Sequence, residues 1–206
     1  MGWTSPVAGS AVLTLAGVSL LSALLLAASG ILSKRLTLTS PPRQLIGPLL
    51  VLNAATVAAL LPFSEWTVSP AVLALLGLEA VVLVLISLAV WDLYGSGSAG
   101  ATLMAQSLSP VFAVVLTAIL LPDLFRVVPA IAACIIVVSV VSALTQAFSS
   151  LGTRRTLGSL LLAASGGGTL SVTSRLLGDL GVGIVSNYFF RNLAGGLLAL
   201  LVFRPR

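Results

Sequence analysis

Only five acidic and ten basic residues are spread over 206 positions, so any charge inside an apolar run stands out. Glu79 is the sharpest case, set within Leu78-Glu79-Ala80-Val81-Val82-Leu83, well inside a stretch long enough to cross a bilayer. A carboxylate at that depth costs at least about 2.5 kcal/mol if it faces lipid. It should face the interior of a bundle, where it can carry a proton, meet a cationic group of a solute, or bond to a neighbouring helix. Arg191 raises the same question from another segment. Asn187-Tyr188-Phe189-Phe190-Arg191-Asn192 places Asn187, Tyr188, Arg191 and Asn192 within about one helical turn of each other. That arginine can pair with Glu79, bind an anionic group, or snorkel to the interface. A third candidate is the cluster Gln106, Ser107 and Ser109 just before Pro110. Proline leaves the carbonyl of Gln106 without its usual N–H partner, so a bend there would expose an acceptor among polar side chains and line a central cavity. Asp92, between Trp91 and Leu93, reads as interfacial, and Arg43, after Pro41-Pro42, as flanking charge.

Absences narrow the chemistry further. The chain has no histidine, which excludes Ser-His nucleophiles, His-bearing zinc sites and HExxH hydrolysis. An intramembrane aspartyl protease needs two carboxylates held together on separate helices, and only Glu79 is deeply placed. The single cysteine, Cys134, can form no intrachain disulfide and reads as a small packed hydrophobe. Gly166-Gly167-Gly168 follows no strand and precedes no lysine, so it is not a phosphate loop. It reads as a close-approach surface or a hinge. No catalytic residue, cofactor or metal is expected, and the chain is read as not an enzyme.

The elements that must position these residues follow from composition. With 58% of residues in the hydrophobic set, 7% charged and a mean hydropathy of +1.19, too few polar side chains exist to cover a water-facing surface, so a soluble fold is excluded. Apolar runs near 11–32, 45–61, 71–91, 99–121, 127–147, 157–174 and 184–203 predict an all-α, polytopic transmembrane bundle of about seven helices. The runs are too long and continuous for barrel strands. The second and sixth are short for a roughly 30 Å core, and extension of the second through Gln44 would correct it. Ser69 can cap the third span with Pro70 in its first position. Trp66, Trp91 and Tyr94 read as interfacial anchors. Lys34, Arg35, Arg43, Arg154, Arg155, Arg204 and Arg206 would all lie inside if the N-terminus is outside, against Arg126 and Arg175 on the other face, which favours N-out and C-in. These cations flank apolar runs and do not form a nucleic-acid footprint. Met1 to Ser10 lacks Lys and Arg, so the first run reads as a retained helix of an integral protein of the plasma (cell) membrane.

An internal repeat is also legible. Leu24-Leu25-Leu26-Ala27-Ala28-Ser29-Gly30 recurs as Leu160-Leu161-Leu162-Ala163-Ala164-Ser165-Gly166, and Arg43 to Leu52 matches Arg191 to Leu200 at the Arg, at Gly47/Gly195 and at four leucines. The pattern predicts a five-helix unit over 1–150 and a two-helix partial copy over 151–206. Because five is odd, the copies would be inverted, as in many secondary transporters. On this repeat, and on Ala101-Thr-Leu-Met-Ala-Gln-Ser-Leu-Ser-Pro110-Val-Phe-Ala-Val-Val with the acidic turn Pro122-Asp123, the chain resembles the EamA-like branch of the drug/metabolite transporter superfamily. That resemblance implies two five-helix halves, with three further helices expected after Phe203, and a permease for small organic solutes or metabolites. Expected partners are the lipid bilayer, a small organic solute and, in a homo-oligomer, further copies of the chain. No nucleic acid is expected. Residues expected to handle solute or protons are Glu79, Gln106, Ser109, Asn187, Tyr188 and Arg191, with Pro110 as the kink. The alternative is a non-transporting membrane protein that acts only through helix packing with partners.

Overall fold

The computed structural model describes residues 17, 20, 24, 28, 31, 32, 34–36, 41–96, 99–121, 127–147 and 154–203. All of the regular structure in these residues is helical. The described residues between 17 and 36 belong to a helix, α1. It is followed by α2 (Pro42–Val57), a 3-10 helix (Ala58–Phe63), α3 (Pro70–Ser96), α4 (Ala99–Leu120), α5 (Val127–Ala147), α6 (Arg154–Asp179) and α7 (Ile184–Val202). Arg43–Phe63, Pro70–Gly95 and Ile184–Val202 are each long and apolar enough to cross a membrane. The chain is therefore a polytopic, all-α membrane protein of seven helices among the described residues.

Both short spans lengthen for visible reasons. Pro41 stands in the extended region before α2 and Pro42 occupies its first turn, so the helix begins ahead of Gln44. The 3-10 turn then carries the same rod on to Phe63. Together the two segments reach roughly 35 Å at 1.5 and 2.0 Å per residue. Span six extends at both ends to 26 residues. The start of α3 is capped as its sequence predicts, with the Val72 N–H donating to Ser69 Oγ at 3.2 Å.

α3, α6 and α7 form the centre, with α2 against α7 and α4 against α6, while α5 leans on α4. Glycines set the closest approaches. A Cβ on Gly166 would land on Ile86 of α3, one on Gly167 on Ser109, and one on Gly168 within 2.6 to 2.9 Å of Phe112 and the Ala113 backbone of α4. The triple glycine is thus a packing surface that lets α6 nest between two helices. On the α2–α7 side Gly47 meets Leu200 and Gly196 meets Val51 in the same way.

Three side chains depart from expectation. Trp91 and Tyr94 are buried at 7% exposure, edge to face with centroids 6.2 Å apart. Trp91 fills a core with Ile46, Leu50 and Ala199, so α2 and α7 cover the face that would otherwise anchor at the lipid interface. Trp66 does lie at the surface, stacked on Phe190 at 4.1 Å. Cys134 is exposed on α5 rather than packed, on a helix whose main described neighbour is α4.

Candidate functional site

Val72, Leu76, Glu79, Ala80 and Val84 are the buried positions of α3 in this region. Their spacing is that of one helical stripe, so the helix that buries Leu76 must bury Glu79 too. Glu79 is fully buried, about 14 Å along the helix from Pro70 and near the middle of a roughly 30 Å hydrocarbon core. α6 answers with two adjacent hydroxyls. Thr173 Oγ1 donates to Glu79 Oε1 at 2.8 Å and Ser174 Oγ donates to the same oxygen at 2.9 Å. From α7, Asn187 Nδ2 and Arg191 Nη1 donate to Ser174 Oγ at 3.0 and 3.2 Å. Arg191 Cζ also sits 5.2 Å from the Tyr188 ring centroid, in cation–π range.

Ser174 is the hub of this network. Its one proton goes to Glu79 and its lone pairs receive Asn187 and Arg191, so its hydrogen-bonding capacity is used in full. Arg191 reaches the carboxylate only through that hydroxyl, and no direct ion pair joins them among the described residues. Arg191 therefore turns inward and does not snorkel. Among the described residues three atoms remain buried without a partner: Glu79 Oε2, Asn187 Oδ1 and Arg191 Nε. Orphaned polar atoms cost about 1–3 kcal/mol each, more when charged, unless something fills them. Ser174, Val182, Asn187, Tyr188 and Arg191 line a cavity of about 170 Å³.

The end of the bundle nearest this cavity is laced shut. Gly183 N–H donates to Glu65 O, Thr67 Oγ1 to Leu180 O, and Ser186 to Ser64 Oγ. Gly181, at φ +83°, makes the left-handed turn that brings α7 back against α6. Asp92 stands at the opposite end of α3, about 20 Å from Glu79, and accepts from Ser159 Oγ at 2.8 Å. With Arg43, Leu88, Leu162 and Phe203 these two residues line a second cavity of about 600 Å³.

Four of the six expected residues thus come together: Glu79, Asn187, Tyr188 and Arg191. Asn192 instead bonds Tyr188 O of its own helix. Ser109 faces the glycine surface of α6 at Gly167 rather than Glu79. Pro110 lies exposed inside a single uninterrupted α4, and among the described residues none of α4 lines either cavity. The Gln106 side chain and the Pro122-Asp123 turn lie outside the described residues. Thr173 and Ser174 were not foreseen. The available signal was Thr169-Leu-Ser171-Val-Thr173-Ser174, a run with four hydroxyls in six residues. No family model, curated protein or solved structure matches the chain.

Proposed function

We propose that the chain is a permease moving small organic solutes across the cell membrane by alternating access, with Glu79 carrying a proton, and that it belongs to the EamA-like branch of the drug/metabolite transporter superfamily. The observation that carries this reading is the buried Glu79–Ser174–Arg191 network, with its three unpartnered atoms, beside a cavity of solute size. Intramembrane ionisable groups are costly and mark solute or ion pathways by default. A structural role alone would favour a closed set of partners, since a half-satisfied buried network is less stable than an apolar core.

A further feature supports it. The cavities lie beside opposite ends of the α3–α6 seam, one near Glu79 and one at Asp92, which suits a site approached alternately from two sides.

The test is solute flux in reconstituted vesicles at several pH values. Glu79→Gln and Glu79→Leu should insert and fold but lose pH-dependent flux. Full pH-dependent flux by either variant would remove Glu79 from the mechanism. No flux by the parent across a broad solute panel would favour the non-transporting alternative.

A further inference from the structure

The permease reading leaves the solute's chemistry open, and the orphaned atoms constrain it. Glu79 and Arg191 are within about 6 Å of each other through Ser174, close enough for a carboxylate and a guanidinium to offset each other's charge. The cavity wall, however, is asymmetric: Arg191 lines it, with Nε buried and unpartnered, whereas Glu79 lies behind Ser174 and is not among the lining residues. A solute in the cavity therefore meets the cation first. We infer that the cavity takes a solute bearing an acidic oxygen group on Arg191, and that Glu79 takes up one proton when that anion binds.

The argument is one of charge. An anion seated on Arg191 spends the positive charge that Ser174 relays to Glu79 and leaves the buried cluster with a net negative charge, which a low-dielectric interior penalises strongly. A proton on Glu79 Oε2, the unpartnered oxygen, restores neutrality without breaking either hydroxyl bond to Oε1. Glu79 is the buried acidic group beside this site among the described residues, since Glu65, whose backbone meets Gly183 at the near end, is exposed. Tyr188 on α7 already faces the guanidinium, and Arg175 and Asp179 on α6 pair with each other on its exposed side. Asp92 and Arg43 stand at the far end, and the described side chains of α4 carry no charge. The anion and the proton then bind together, each raising the affinity for the other.

The inference rests on the permease reading for the idea that the cavity holds a solute, yet binding alone tests it. Formate, acetate and propionate serve as probes, with acetamide as the neutral control, titrated calorimetrically into the full-length protein in two buffers of different ionisation heat. The expected result is uptake of one proton per carboxylate bound, an affinity that weakens roughly tenfold per pH unit where Glu79 is ionised, and no response to acetamide. Glu79→Gln should still bind acetate but without proton uptake, and Arg191→Gln should not bind it. Should these variants misfold, the proton count on the unmodified protein decides alone. Carboxylate binding without a proton, acetamide binding as well as acetate, or no carboxylate binding overturns the inference. A protein that binds acetate with a proton but moves no solute in vesicles would sink the permease reading and leave the inference standing, and transport of solutes without proton-linked anion binding would do the reverse.

Discussion

Ser174 and Thr173 are neighbours that donate to the same carboxylate oxygen, and their substitution should separate a hub from a spoke. Ser174→Ala removes three contacts at once: its own bond to Glu79 and the bonds it receives from Asn187 and Arg191. Thr173→Val, nearly isosteric, removes one inter-helix bond, since the other contacts of Thr173 Oγ1 are to Thr169 O and Leu170 O of its own helix. Interhelical hydrogen bonds in membrane proteins average about 0.6 kcal/mol each, and those to charged groups reach about 1.5–3 kcal/mol. Thr173→Val should thus cost about 1 kcal/mol and Ser174→Ala about 2–3 kcal/mol. Unfolding titrations in mixed micelles would read both. Equal losses, or a neutral Ser174→Ala, would refute the hub.

Packing and topology give further expectations. Gly168→Ala should cost about 1–3 kcal/mol, because the new Cβ meets α4 backbone that cannot step aside, whereas Gly158→Ala in the same helix has open space and should be neutral or stabilising by up to about 1 kcal/mol; thermal unfolding of the pair decides. Ser64→Ala should loosen the turn joining α6 and α7, read as faster amide hydrogen exchange at 180–187, because the Ser186 N–H and hydroxyl lose their partner. With Cys134 replaced by Ser, an impermeant thiol reagent added outside intact cells should label Glu65→Cys and Asp179→Cys, which lie at the end remote from Arg43 and the basic segments. Labelling only after permeabilisation would reverse the orientation.

Much of the bundle was legible because hydrocarbon imposes few solutions. A carboxylate within an apolar run has to face inward, so the placement of Glu79 followed from its neighbours alone, and Ser69-Pro70 announced the start of α3 through elementary capping chemistry. The rest depended on which helices meet. Trp91 and Tyr94 have the side chains of interfacial anchors, and it is the packing of α2 and α7 over Trp91, with Tyr94 edge-on to its ring, that makes Trp91 core. Thr173 and Ser174 are hard to read because hydroxyls in a helix can bond their own backbone, and Thr173 Oγ1 has Thr169 O within reach at 3.0 Å, so they carry no outward sign of a distant partner. Gln106, Ser109 and Pro110 clustered in sequence as convincingly as Glu79 did. Yet the α6 glycines draw Ser109 into a helix contact and away from the carboxylate. Arg191 was open between three roles until Ser174 gave it an inward partner.

The most direct test of the account is the movement of protons and solute in sealed vesicles containing the full-length protein. An imposed pH gradient should drive accumulation of a small organic solute, and Glu79→Gln should abolish that accumulation while leaving the protein folded and inserted. Undiminished gradient-driven accumulation by Glu79→Gln would contradict it.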